Sequence, residues 1–324
     1  MRMFFFSLLI SGFSLLCMVQ NCKAEPTEIV KCSGSDISGV YFRIRTGDRL
    51  LGGLFGTVHI GHSSLKKLPI SVIRDLESSK VLYRETDLNV TPEQIERIQQ
   101  LFKLPTGQRI SDILNGKDYA ALLLFFRDQQ YESDKVSEML TMTPFALVSA
   151  LGSKYNLVEF DGSPSFDTML DEVAKKARVQ ISGVESIDES LSGVAGFTNL
   201  ESSDYIAQYI DVYRCPSCLT SANIALNAFV KNLRDGQLKM AYSQHVFLYS
   251  RLIPVHAQQQ KMIFSRNDNM TKKIVLIIGR EKPFVVSVGA LHLAGEKGIV
   301  AQLRKRGYDV TQVFCDQHLG VENK

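Results

Sequence analysis

Beyond its first residues, the sequence has no apolar run long enough to cross a membrane. Residues 4–19 are predominantly apolar, but a membrane-spanning helix takes about 20 residues. An arginine precedes this run, and Cys22, Lys23 and Ala24 follow it with small residues at the positions of a cleavage site. This is the pattern of a secretory signal peptide. We predict cleavage after Ala24 and export of the mature chain to the periplasm or the exterior. An uncleaved N-terminus is the alternative, and the only predicted route to membrane association.

The sequence also lacks an excess of charge of either sign. It has 37 basic and 34 acidic residues. The signal peptide carries Arg2 and Lys23 and no acid, so the mature chain has a net charge near +1. Proteins that bind nucleic acid or anionic lipid through charge carry clusters of Lys and Arg. We therefore expect no nucleic-acid partner and no basic membrane patch.

Linkers rich in Pro or Ser, short repeats and low-complexity tracts are missing as well. The hydrophobic content of 45% is that of an ordinary globular protein. The simplest prediction is one α/β domain over residues 25–324, with a central mixed β-sheet flanked by helices. Helical insertions are expected at about residues 92–150 and 187–252.

Cysteines are few, and two of the six fall in the predicted signal peptide. An even number in an exported chain favours disulfides, and four cysteines allow three pairings. We prefer Cys32 with Cys315 and Cys215 with Cys218. The alternative for Cys215 and Cys218 is a redox Cys-x-x-Cys motif, but they follow a helical segment and no strand of a thioredoxin-like unit.

Alternating apolar and polar residues, together with continuous apolar runs, predict the secondary structure of the chain. Strands are predicted at residues 39–46, 49–59, 80–86, 179–184, 283–288 and 308–314. The run at 283–288 is almost continuously apolar, which is typical of a central strand covered on both faces. Helices outside the insertions are predicted at residues 68–78, 165–178, 257–278 and 295–306.

Four polar side chains fall at the ends of predicted strands, where ligands bind in open α/β sheets. They are His59, Glu85, Glu185 and His292. Both histidines end a Gly-x-x-His phrase, and both glutamates continue the apolar face of their strand. A carboxylate in that position needs a partner. Arg266, on an otherwise apolar face of the predicted helix 257–278, is a suitable one.

Each of these signals has an ordinary structural explanation when it stands alone. A histidine after a strand can be a core residue bonded to a carbonyl, a glutamate can lie at the surface, and an arginine can pack its stem while its head reaches water. His62 is interpreted as a turn residue that lies close enough to replace His59. The remaining histidines show no pattern: His245, His256 and His318.

The two Gly-x-x-His segments resemble those of a known family. LFGTVHIGHSS followed by VLYRETDL is similar to the opening motif of the TraB/PrgY/GumN family, whose animal members are the Tiki proteases. Residues 284–308 resemble its second motif and the following helix. Gly183-Val184-Glu185-Ser186 and Ser265-Arg266-Asn267 are similar to phrases of the GumN branch, and the helix with Asp167 falls where that branch places one. The resemblance covers about residues 30–315.

This resemblance implies a metal-dependent hydrolase, because the Tiki branch is described as manganese- or cobalt-dependent metalloproteases. Its two histidines and one glutamate correspond to His59, His292 and Glu85, as ligands of a divalent Mn, Co or Zn ion. Such a set leaves open positions for water. Glu185 would then be a further ligand or the general base, and Arg266 would steady a carboxylate or the developing oxyanion. The expected substrate is a peptide or a small amide or ester.

Two alternatives remain open. The family more distantly resembles erythromycin-esterase-like folds, which implies a metal-free hydrolase with His59 as general base. Glu85 would orient that base, and His292 and Arg266 would face the oxyanion. The third hypothesis is a protein without catalysis that sequesters a peptide, as the pheromone-shutdown names of the family suggest.

Overall fold

The computed structural model describes residues 25–33, 36–59, 61–152, 162–195, 199–252, 263–280 and 283–316. The predicted signal peptide lies outside these ranges, and so do His256 and His318. No helix within the described ranges is both long and apolar enough to span a bilayer.

The described strands form one mixed sheet, which confirms the predicted fold class. The strands are β1 (Thr27–Val30), β2 (Val40–Thr46), β3 (Arg49–Thr57), β4 (Val81–Thr86), β5 (Gln180–Glu185), β6 (Phe284–Gly289) and β7 (Asp309–Cys315). Their order across the sheet is β1-β7-β2-β3-β6-β4-β5. The neighbours β3, β6, β4 and β5 all run parallel, whereas β2 is antiparallel to both β3 and β7. Four parallel strands therefore end at the same edge of the sheet.

Helices cover the sheet and occupy the two regions predicted as helical insertions. They are α1 (Ile70–Glu77), α2 (Pro92–Leu101), α3 (Gly116–Asp128), α4 (Ser133–Met139), α5 (Pro144–Gly152), α6 (Phe166–Ala177), α7 (Ile187–Ala195), α8 (Asn199–Arg214), α9 (Pro216–Arg234), α10 (Leu238–Leu252), α11 (Ser265–Arg280) and α12 (Ile299–Lys305). Short 3-10 turns lie at Ile110–Asp112 and Ala290–Leu293.

Several element ends differ from the prediction. The helix expected at 295–306 begins only at Ile299, because Gly295 has a φ of +73° and Gly298 is the N-cap. The helix expected at 257–278 runs from Ser265 to Arg280, and residues 257–262 lie outside the described ranges. The strand expected at 49–59 ends at Thr57, opposite the last residue of β6.

The main core lies on both faces of the sheet around β6. All of Phe284, Val285, Val286 and Val288 are fully buried, as expected of a central strand. Phe55 on β3 packs against Phe166 of α6, with ring centroids 5.1 Å apart. Burial on this scale fixes the strands and the covering helices, and with them the positions of the strand ends.

The helical insertions build a second apolar cluster of their own. It joins α3, α5 and α8, and Phe125 packs on Tyr213 with ring centroids 4.7 Å apart. Helices α2 to α5 and α7 to α10 lie in the two regions predicted as insertions. That the whole chain forms one domain stays a prediction.

Both preferred cysteine pairings are confirmed. Cys32 is bonded to Cys315, and Cys215 to Cys218. The first bond joins the segment after β1 to the end of β7, where β1 pairs with β7 in parallel. Strand β1 is not among the predicted strands, since four residues are too few to show an alternating pattern.

Candidate functional site

The four polar side chains predicted at strand ends lie at the shared edge of the parallel strands. Two of them, the histidines, lie beside the carboxylate of a third, Glu85. The Nε2 atom of His59 lies 3.7 Å from Oε2 of Glu85, and the Nε2 atom of His292 lies 3.6 Å from Oε1 of Glu85. Residues 59 and 292 are far apart in the chain, and the adjacent, parallel strands β3 and β6 bring them together.

An amide fixes the proton position on His292. The Nδ2 group of Asn267 donates to the carbonyl of Lys297 at 2.9 Å, so its Oδ1 atom faces the Nδ1 atom of His292 at 2.6 Å. An amide oxygen only accepts, so Nδ1 of His292 carries hydrogen. In the neutral ring, the Nε2 lone pair is therefore directed toward Glu85.

A carboxylate holds His59 in a comparable way. The Nδ1 atom of His59 lies 3.1 Å from Oδ2 of Asp167, in the first turn of α6. The ionised carboxylate accepts hydrogen from Nδ1, which again leaves Nε2 toward Glu85. The contact with Asp167 outweighs burial and raises the pKa of His59. Unlike the buried His292, His59 keeps 62% of its side chain exposed.

Glu85 is held as a carboxylate. Burial opposes its ionisation, but a protonated His292, Arg266 and the backbone N–H of Gly289 together bring its pKa well below the usual range. Arg266 donates to Oε1 at 2.6 Å, and the N–H of Gly289 donates to Oε2 at 2.7 Å. Both oxygens are thus fixed in position between the two imidazoles.

Arg266 also binds the second buried glutamate. Its Nε and Nη2 groups donate to Oε2 of Glu185 at 2.9 and 2.6 Å, and Nη2 lies 3.3 Å from Oγ of Ser190. Burial lowers the pKa of Arg266, but the contacts with Glu185 and Glu85 outweigh it and raise the pKa. Glu185 is 2% exposed. The guanidinium group of Arg266 therefore lies between two carboxylates and is hydrogen-bonded to both.

The charges of this cluster do not balance with neutral histidines. Glu85, Glu185 and Asp167 carry three negative charges when ionised, and Arg266 supplies one positive charge. In addition, two imidazole lone pairs face the carboxylate of Glu85, and such an arrangement is repulsive unless a proton or a cation lies between them. Two protons or one divalent cation would balance the cluster.

The side chains of this cluster suit a divalent ion, because imidazole nitrogen and carboxylate oxygen are common ligands of Mn, Co and Zn. Within the described ranges, however, no three His, Cys, Asp or Glu side chains are grouped tightly enough to enclose a metal as they stand. Gly289 leaves space among them. A Cβ there would lie 3.3 Å from Oε2 of Glu85, 3.4 Å from Nε2 of His59 and 3.6 Å from Cδ2 of His292.

Three further residues belong to this cluster and were not assigned a role from the sequence. They are Asp167, Ser190 and Asn267. Asp167 was noted only as part of a helix and Asn267 only as part of a motif, while Ser190 carried no signal. His62 is buried, with Nε2 on Asn227 and Nδ1 on Ser64.

The sequence of this chain is similar to one protein family and to several of its curated members. The model of the TraB/PrgY/gumN family matches residues 41–312. The chain is 24% identical to "Metalloprotease TIKI homolog" of Nematostella vectensis, over 82% of this chain and 65% of that protein. It is 23% identical to "Metalloprotease TIKI1" of Homo sapiens, over 79% of this chain and 58% of that protein. The chain thus spans about three fifths of the length of these curated relatives. No solved structure matches the chain.

Proposed function

Because the chain belongs to the TraB/PrgY/gumN family, we propose that it is an exported, metal-dependent hydrolase that cleaves a peptide or a small amide or ester. The observation that carries this proposal is the convergence of two imidazole Nε2 atoms on the carboxylate of Glu85. The name shared by the relatives supports a peptide as substrate. The two disulfides fit an oxidising compartment outside the cytosol.

The metal ligands in this proposal are His59 and His292 through Nε2, and Glu85 through its carboxylate. When bound, a divalent ion supplies a Lewis acid that activates water and polarises a carbonyl group. Asp167 and Asn267 hold the outer nitrogens of the two rings, as partners of metal-bound histidines generally do. A divalent charge would also balance the two excess negative charges of the cluster.

Arg266 and Glu185 have supporting roles in this account. Arg266 keeps Glu85 ionised and in place, because it donates to Oε1 at 2.6 Å. Glu185 anchors Arg266 through two hydrogen bonds. Since Glu185 is almost completely buried and already bonded to a guanidinium, we favour this anchoring role over that of a general base.

A metal-free hydrolase is the second candidate, and the contact between His59 and Asp167 favours it. An exposed imidazole with Nδ1 held by a carboxylate has its Nε2 available to remove a proton from water or a hydroxyl group. The same residues would act without a metal, with Asp167 orienting the base. The two candidates differ in their response to chelation.

Chelation followed by reconstitution tests the proposed function. Purified protein without its signal peptide is incubated with a mixture of synthetic peptides, and cleavage is followed by mass spectrometry. We expect exhaustive EDTA treatment to abolish cleavage, and Mn²⁺ or Co²⁺ to restore it. Full activity after chelation would contradict the metal-dependent version and favour His59 as a base. Peptide binding without cleavage at any metal concentration would favour a sequestering protein.

Replacing Gly289 with Ala should affect the site far more than the fold. The backbone at Gly289 has φ −50° and ψ 132°, which alanine adopts easily. Its Cβ would occupy the space among Glu85, His59 and His292. We expect Mn²⁺ affinity, measured by calorimetry, to fall by about tenfold or more, a loss typical of a disturbed metal environment.

Gly279→Ala is the matched control, since nothing lies within 4 Å of a Cβ at that position in α11. That variant should bind Mn²⁺ like wild type. Unchanged Mn²⁺ affinity in Gly289→Ala would show that no ion occupies the space beside Gly289.

A further inference from the structure

The two histidines are held by chemically different partners. Nδ1 of His292 faces the neutral amide of Asn267, itself fixed by the carbonyl of Lys297. Nδ1 of His59 faces the carboxylate of Asp167. His292 is also enclosed by protein, whereas His59 is exposed and follows the end of β3. The carboxylate is thus the main described contact that restrains the orientation of the His59 ring.

An N-cap and core packing hold the first turn of helix α6, which carries Asp167. Ser165 caps its first turn by accepting from the backbone N–H of Thr168. Phe166, next to Asp167, is fully buried against Phe55 of β3. The same packing therefore fixes the helix that carries Asp167 and the strand that leads to His59.

We propose that Asp167 is a positioning residue, which accepts hydrogen from Nδ1 of His59 and thereby keeps the Nε2 lone pair directed at the site beside Glu85. Among the described residues, the hydrogen bond of Asp167 reaches His59 and not Glu85, and Asp167 is not one of the three residues nearest a Cβ at Gly289. It acts through the tautomer and the ring orientation of His59. The inference rests on the proposed function only in assigning metal binding to Nε2.

An ordinary structural role for Asp167 makes a different prediction. A carboxylate in the first turn of a helix stabilises that helix through its dipole, whatever it faces. Removing it would then lower stability and leave the imidazole of His59 unaffected. The experiment must therefore observe the ring directly.

The test compares Asp167→Ala, Asp167→Asn and the control Glu172→Ala, which removes an exposed carboxylate from the same helix. The first readout is ¹⁵N NMR of the histidine rings in metal-free protein, at a pH where His59 is neutral. We expect wild type to carry the Nδ1–H tautomer at His59. Asp167→Ala should shift His59 toward the Nε2–H form, and Asp167→Asn should retain most of the Nδ1–H form because its amide oxygen accepts the same hydrogen bond.

The second readout is Mn²⁺ and Co²⁺ affinity by calorimetry. Loss of a histidine's outer partner typically weakens metal binding by about 10–100-fold, and we expect this of Asp167→Ala. Asp167→Asn should stay within about threefold of wild type, and Glu172→Ala should not differ from it. If wild type binds no metal, the proposed function fails, and the NMR result alone decides the role of Asp167. A wild-type tautomer in Asp167→Ala would overturn the inference, whatever the metal result.

Discussion

Replacing Arg266 with Met is expected to lower the free energy of unfolding by about 3–5 kcal/mol, because it leaves two buried carboxylates without their cation. Glu85 and Glu185 are 13% and 2% exposed at the side chain, and both accept hydrogen bonds from Arg266 at 2.6 Å. Denaturant unfolding monitored by circular dichroism measures the change. Adding Glu185→Gln to Arg266→Met should recover part of the loss, because it removes one of the unpaired charges.

Arg97→Met is the matched control for this prediction. Arg97 forms an ion pair with Asp188 at 3.1 Å, but the two side chains are 55% and 53% exposed. Exposed pairs contribute about 0–1 kcal/mol, so this variant should unfold almost like wild type. Equal effects of the two arginine substitutions would contradict the buried, charge-coupled arrangement described for Arg266.

The disulfide between Cys32 and Cys315 should have the second large effect on stability. It closes a loop with a sequence separation of 283 residues. Breaking it therefore removes a constraint on almost the whole unfolded chain and raises its conformational entropy. Replacing both cysteines with serine is expected to lower the free energy of unfolding by about 5–6 kcal/mol, on the chain-entropy account. The backbone amides of the edge strand β1 should be the first to lose protection against hydrogen exchange, since the bond joins the segment after β1 to the end of β7.

The second disulfide provides the control within the same chain. Cys215 and Cys218 are separated by only three positions, so the same account gives a loss of about 2 kcal/mol when both become serine. Denaturant unfolding of the two double variants gives the comparison. A larger loss for the Cys215/Cys218 pair would show that strain or local packing, and not loop length, sets the contribution of these bonds.

The sequence predicted those parts of the fold that local patterns specify. The apolar run of β6 indicated a central strand, and the structure places β6 between β3 and β4. The glutamates that continue an apolar face were expected to need a partner, and Arg266 lies against both of them. The glutamates pointed to a distant contact because they departed from the apolar pattern of their strand faces.

The remaining features depend on contacts that no local pattern encodes. Asp167 and His59 are 108 positions apart, and a carboxylate in the first turn of a helix looks the same whether or not a histidine faces it. The role of Asn267 depends on the carbonyl of Lys297, 30 positions away. Strand β1 is defined by its pairing with β7, and its four residues carry no periodicity of their own.

Metal stoichiometry tests the central claim most directly. Wild type, His59→Ala and His292→Ala are loaded with Mn²⁺ or Co²⁺, desalted and analysed by elemental mass spectrometry. The account predicts about one divalent ion per wild-type chain and almost none in either variant, because each loses one of three ligands. Wild-type protein that retains no ion, or variants that retain as much as wild type, would contradict a metal site formed by His59, Glu85 and His292.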